Sequence, residues 1–226
     1  MRGFERGLAE LGLAGVSRCN LLRGASALAV AGFVLAAGTV QAQQVLVGTV
    51  ECPVVAEEAV CTGDLLDGVI GDQTIFAGAL STITIRDVTG PIEPAGIYGI
   101  GADRSNGSLT INVADDVVIN TYDDPAIANP AQGIIAIVRS GFDAAVDSGA
   151  AITVDGRGQP VAGIEVAVFS DASNIGIVNR GSVTVSTTDQ FGAALVAQAG
   201  TSSGNIDITN SGALDVTTGP GGRAMG

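Results

Sequence analysis

Short runs of alternating apolar and polar residues recur along this chain at intervals of about thirty residues, a period typical of stacked repeats. Four of them, 106–111, 147–154, 179–185 and 210–216, begin with Asn or Asp, pass through a glycine and continue as an alternating run. Alternation with a period of two indicates a strand that buries one face. An Asn or Asp beside glycine suits a sharp corner, and we predict left-handed backbone there.

A second series of strands interleaves with the first, and each member begins at a pair of residues that ends in glycine. These strands follow Gly96, Gly133, Gly163 and Gly192. Antiparallel hairpins would show turn signals every 8–12 residues and no long period. We therefore predict an all-β fold, a right-handed parallel β-helix (solenoid) of about five coils, each adding roughly 4.8 Å along the axis.

The first forty-two residues have the pattern of a secretory signal peptide. Residues 1–24 contain four arginines and two glutamates, and Ala25 to Val40 is an uncharged apolar run. The small residues Val40 and Ala42 at positions −3 and −1 predict cleavage after Ala42. A short buried helix is the alternative for this run, which is short for a membrane span.

Export leaves two cysteines in the chain, Cys52 and Cys61. An even pair at close spacing in an exported protein predicts a disulfide that closes a small loop. The alternative, a metal held by the two thiolates, lacks the further Cys or His ligands that such a site requires.

The composition excludes several kinds of chemistry. The chain has no His, no Trp and no Lys, so no His-dependent triad, lysine Schiff base, Walker-type phosphate loop or His-ligated zinc site can be built from it. The formal net charge of −13 argues against nucleic acid as a partner. We predict no cofactor.

The repeat units resemble those of the passenger region of bacterial autotransporters, the secreted β-helical part of type V secretion proteins. The best copy is Ile177-Val178-Asn179-Arg180-Gly181-Ser182-Val183-Thr184-Val185, and the likeness covers about residues 74–226. The resemblance implies a signal peptide at 1–42, an N-terminal capping region at 43–72 and β-helix repeats at 73–226. It also implies a C-terminal outer-membrane barrel. We expect that the chain, which ends at Gly226, is truncated before it.

One connection stands out as a candidate contact surface. The glycine series has a long step around residues 121–130, which predicts a loop that leaves the coil, and function often lies on such loops. Its candidate contact residues are Tyr122, Asp123, Asp124 and Asn129. The alternative interpretation is that this connection is a corner of the coil with no role in binding.

Paired aspartates suggest a second kind of site. Candidate calcium ligands are Asp115, Asp116, Asp123 and Asp124, because Ca²⁺ prefers carboxylate and carbonyl oxygens. Some β-helical polysaccharide lyases combine such aspartates with an arginine base, and Arg139 lies about one coil further along. No Gly-Gly-x-Gly-x-Asp repeat is present, and Asp is also a frequent corner residue, so we predict neither a metal site nor a catalytic residue.

The sequence predicts an exported cell-surface β-solenoid with a structural or adhesive role and no enzymatic activity; the alternative is a β-helical enzyme that acts on polysaccharide. The expected partners are the secretion machinery and a surface ligand such as a host or matrix polymer. The full-length protein is expected at the cell surface, in the outer membrane or outside the cell, and this segment alone in the periplasm. The final coil, with one unpaired edge, predicts end-to-end self-association.

Overall fold

A computed structural model describes residues 45–46, 51–71, 80–94, 98–122, 131–157, 160–169, 173–188, 190–200 and 204–226. Within these ranges the secondary structure is eighteen strands, numbered β1 to β18 in chain order, and no helix. The predicted signal peptide and its cleavage position lie outside the described residues.

The strands form three sheets. Sheet A contains, in spatial order, β1 (Val45–Leu46), β4 (Val69–Gly71), β6 (Tyr98–Arg104), β9 (Gln132–Val138), β12 (Val161–Val168), β15 (Phe191–Ala199) and β18 (Arg223–Met225). Sheet B contains β16 (Ile206–Asn210), β13 (Ile175–Asn179), β10 (Ala144–Ser148), β7 (Leu109–Val113), β5 (Thr82–Val88), β3 (Glu58–Gly63) and β2 (Val54–Val55). Sheet C contains β17 (Leu214–Thr218), β14 (Val183–Thr187), β11 (Ala151–Gly156) and β8 (Val118–Tyr122).

The chain visits sheets A, B and C in turn, and from β3 to β15 each strand pairs in parallel with the equivalent strand of the next turn. Four turns contain all three strands, beginning with β6, β9, β12 and β15. Before them, β4 and β5 contribute to sheets A and B only, and Ile92 forms an isolated bridge to Ile119 in sheet C. The predicted parallel β-solenoid is confirmed, with about four turns rather than five.

The register corrects the spacing inferred from the glycines. From β9 onward paired residues are about one regular period apart, as in Gln132 with Ala162 and Ala144 with Ile175. The preceding turn is only slightly longer, because Leu109 pairs with Ala144. Gly107 precedes β7 at the corner between sheets A and B, so its alignment with the glycines that follow sheet B was wrong. Most of the long step in the glycine series came from that misalignment, and a small surplus of residues remains in this turn.

The core is a stack of Ile, Val and Ala side chains between the three sheets, as the alternation predicts. Val183 and Val185 are fully buried, while Thr184 between them is exposed. In the next turn Leu214 and Val216 pack against the core, and Asp215 is exposed. The predicted strand register in sheet C is therefore confirmed.

The corner between sheets B and C is held by asparagine side chains. Asn179 is completely buried, and its Nδ2 donates to the carbonyl of Gly181 at 2.8 Å and to Oδ1 of Asn210 at 2.7 Å. Asn210 repeats the bond one turn later, to Gly212 at 2.8 Å. Neither glycine has a positive φ, contrary to the left-handed corner we predicted, whereas Gly107, at the corner between sheets A and B, has φ of 123° as predicted. Gly181 and Gly212 are needed because a Cβ at either position would collide with the backbone of the preceding turn.

The N-terminal end of the stack carries a covalent link. A disulfide joins Cys52 and Cys61, both fully buried, across the antiparallel pair of β2 and β3. Strand β3 already pairs in parallel with β5. The parallel stack thus begins within residues 43–72, the segment for which the resemblance implies a cap.

Candidate functional site

The predicted contact loop is only partly described by the structure. Tyr122 is the last residue of β8, and its side chain is 44% exposed. Asp123, Asp124 and Asn129 lie outside the described residues. The structure therefore places one of the four candidate residues at the surface and leaves the loop a prediction.

Of the four candidate calcium ligands, Asp123 and Asp124 lie outside the described residues, and the other two occupy a corner. Asp115 and Asp116 are exposed residues between β7 and β8. Asp115 Oδ1 lies 3.4 Å from Nη2 of Arg180, whose Nη1 also pairs with Asp147. A guanidinium thus already pairs with Asp115 at this corner. In the described part of the chain, no group of three or more Cys, Asp or Glu side chains could hold a metal ion.

Arg139, which the sequence offers as a lyase base, is part of a different ion pair. Its Nε donates to both oxygens of Asp103, at 3.0 Å and 2.8 Å, from the neighbouring turn of sheet A. This hydrogen bond, together with the charge of Asp103, raises the pKa of the Arg139 guanidinium further. A raised pKa opposes the role of a base, because the guanidinium then holds its proton more firmly.

A groove of about 240 Å³ lies on the outer face of sheet A and crosses three consecutive turns. In β12, Ile164 and Val166 point into the core. Glu165 lies between them in the strand and therefore faces outward, into the groove. Its lining combines polar side chains with apolar walls. The lining residues are Gln132, Pro160, Val161, Ala162, Glu165, Phe191, Val196 and Gln198.

Glu165 is the centre of a hydrogen-bonded row across this groove. Gln132 Nε2 donates to Oε2 of Glu165, and Gln198 Nε2 donates to Oε1 at 3.3 Å. The carboxylate is half-buried, and its burial raises the pKa of Glu165. The bond from Gln132 opposes that rise but does not cancel it.

Gln132 has a hydrogen-bonding capacity that its surroundings leave unused. The side chain is 7% exposed, and its Oε1 has no hydrogen-bond partner among the residues that the structure describes. An unpaired buried acceptor is uncommon in folded proteins, because it loses its bond to water and gains nothing in return.

The sequence contains a signal for this row, although the repeat pattern alone did not predict it. Glu165 lies 33 residues from both Gln132 and Gln198, slightly more than one period, in otherwise apolar strands. Polar residues repeated at the coil period indicate a ladder along one face. The repeat pattern did not reveal this row because 33 residues is slightly more than the coil period. Gln132 and Gln198 therefore lie diagonally from Glu165 on the neighbouring strands and are not its register partners.

Several polar side chains beside sheet B bond to the neighbouring turn. Asp143 Oδ1 accepts from the backbone nitrogen and from Nδ2 of Asn174, at 2.8 Å and 3.0 Å. Asn174 Oδ1 accepts in turn from the backbone nitrogen of Asn205 at 3.0 Å. These bonds fasten one turn to the next, so the groove on sheet A remains the best candidate site in the described structure.

The fold defines this chain as a parallel β-solenoid. No protein-family model, no curated protein sequence and no solved structure matches it. Among the described residues, none belongs to a helix of sufficient length and apolarity to cross a membrane.

Proposed function

We propose that this chain is an exported segment of a bacterial cell-surface protein, in which the solenoid serves as a structural and adhesive scaffold like the passenger region of autotransporters. The observation that carries the proposal is the stack itself. Each turn is bonded to the next through three parallel sheets and through side-chain ladders such as Asn179 with Asn210. Such a stack holds surface groups at fixed spacing, which suits a scaffold that presents contacts.

Two further features support export. A disulfide such as that between Cys52 and Cys61 is typical of proteins in an oxidising compartment, such as the periplasm or the cell exterior. The basic and apolar segment that ends at Ala42 has the sequence of a secretory signal. The two features are independent, since one lies in the folded stack and the other precedes it.

Export is tested by expressing the full chain in a Gram-negative host and sequencing the N-terminus of the periplasmic protein. We expect it to begin at Gln43, with both cysteines protected from alkylation until reduction. Exported protein that still begins with Met1 would contradict the signal peptide, and two free thiols would contradict the disulfide.

The adhesive role is tested separately by the binding of the exported protein to immobilised matrix polymers. Incubation with acidic polysaccharides gives the contrast with the enzymatic alternative. Release of unsaturated sugar ends would contradict the scaffold proposal and identify the protein as a lyase. Binding of the polysaccharide without cleavage would support adhesion.

A further inference from the structure

Within the described structure, the carboxylate of Glu165 has no paired cation. Among the described residues that line the groove on sheet A it is the only charged side chain, and its two bonded neighbours are the neutral amides of Gln132 and Gln198. None of the ion pairs found in the described structure includes it. A partly buried carboxylate loses hydration, and a cation close by would offset that loss.

A second acceptor is buried next to this carboxylate, on a residue that lines the groove. The amide that donates to Glu165 carries the unpartnered Oε1 of Gln132. A ligand that supplies several N–H donors and a positive charge therefore matches what the polar side of the groove lacks. Ammonium and guanidinium groups have these properties, with three and five N–H donors respectively.

The apolar side of the groove limits what can carry that cation. Val161, Phe191 and Val196 line it beside the polar row, so the stem of the ligand must be apolar. A volume of about 240 Å³ is small for a drug-sized ligand but accommodates one long side chain. Lys and Arg side chains join an apolar stem to a charged head in this way.

We propose that this groove binds the side chain of a lysine or arginine presented by a partner protein, with the cationic head at Glu165 and Gln132 and the stem against Phe191 and Val196. The inference rests on the proposed function and gives the adhesive scaffold a ligand chemistry. The net charge of −13 favours such a partner by attracting basic surfaces. The sequence of residues 1–226 contains no lysine, so a lysine ligand would lie outside it.

The test is a titration of the full chain with the peptide acetyl-Gly-Lys-Gly-amide, followed by NMR of the side-chain amides of Gln132 and Gln198. The matched neutral peptide carries norleucine in place of lysine. We expect saturable shifts with the lysine peptide only, and weaker binding as the pH falls and Glu165 is protonated. Equal shifts with the norleucine peptide would overturn the proposal.

The variant Glu165→Gln keeps the shape of the side chain and removes the charge. We expect it to bind the lysine peptide roughly tenfold or more weakly, the effect of losing one hydrogen bond to a charged group. Asp207→Asn is the control, because Asp207 is exposed on β16 in sheet B and away from the groove. Unchanged binding by a folded Glu165→Gln variant would refute the site.

Two further probes separate the remaining outcomes. Binding of n-butylammonium without binding of the lysine peptide would overturn the protein partner and leave a small-amine site. Preferential binding of a neutral monosaccharide would overturn the cation. Neither result bears on export, which the N-terminal sequence of the periplasmic protein decides on its own.

Discussion

At the scale of single residues, position along the strand decides whether a side chain meets the core or the solvent. Val185 is fully buried, and its neighbour Thr184 is exposed, although both belong to β14. A shift of one residue in the register would exchange these environments. The same rule brings Glu165 to the surface between two buried residues, where it can take part in a site.

Replacing Val185 by Asp should unfold at least its own turn, whereas Thr184→Asp should change stability little. The aspartate at 185 would be a buried charge with no partner, at a cost of several kcal/mol. Urea unfolding followed by circular dichroism measures both free energies of unfolding. Equal losses for the two variants would show that the strand register is wrong.

At neutral pH the Glu165→Gln variant should have a higher free energy of unfolding than the wild type. In acid this difference should disappear. Burial raises the pKa of Glu165 above its ordinary value of 4.5, so the folded wild type favours the protonated acid. The stability from this group is complete below pH 4.5 and is lost as the pH rises through the folded pKa. Urea unfolding near pH 4 and at pH 7 measures the difference.

The exposed Asp207→Asn variant serves as the reference for that comparison, since it removes a carboxylate from the surface of sheet B. A gain for Glu165→Gln that is the same at both pH values would rule out protonation as its source.

At the scale of elements, glycines let neighbouring sheets approach closely. The register of sheet A aligns Gly99, Gly133, Gly163 and Ala194, and a Cβ on any of the three glycines would collide with a side chain of sheet C. At Gly163 that side chain is Val183. The glycine spacing in the sequence matches Gly192 with Gly163, but Gly192 pairs with Val161. A close approach in space, not a turn, requires these glycines.

Gly163→Ala should lower the free energy of unfolding by about 1–3 kcal/mol, the range for overpacked cores. Gly176→Ala is the matched control in β13. Its Cβ would meet only Ala145 Cβ at 3.7 Å, so stability should stay unchanged or rise by up to about 1 kcal/mol. Thermal and urea unfolding compare the two variants, and a neutral Gly163→Ala would disprove the close approach.

At the scale of the whole molecule, the final turn differs from those before it. Ile206 and Ile208 are 50% and 45% exposed, yet they lie in register with Ile175 and Ile177, which are buried. The outer edge of β16 has no paired strand within the described residues. Exposed apolar side chains and an unpaired strand edge together favour association with another strand.

We expect the polypeptide of this sequence to self-associate through β16, as the sequence predicts. Sedimentation velocity should show concentration-dependent oligomers, and hydrogen exchange should be fastest in β16 and β17. Ile208→Lys should reduce the association, whereas Val178→Lys, on an exposed position of β13 one turn earlier, should not. A stable monomer with uniform protection from β6 to β17 would contradict the prediction.

The parallel stack could be predicted from the amino-acid pattern, because alternation fixes which face of each strand is buried and the period fixes which strands pair. Val183, Val185 and Thr184 are where the pattern predicts them. The roles of Gly163 and Gly181 could not be predicted in this way, since each glycine is required by contacts with residues distant in the sequence. The groove at Glu165 likewise required the structure. Its row joins residues 33 positions apart, and the small offset between that interval and the coil period depends on how the turns align in space.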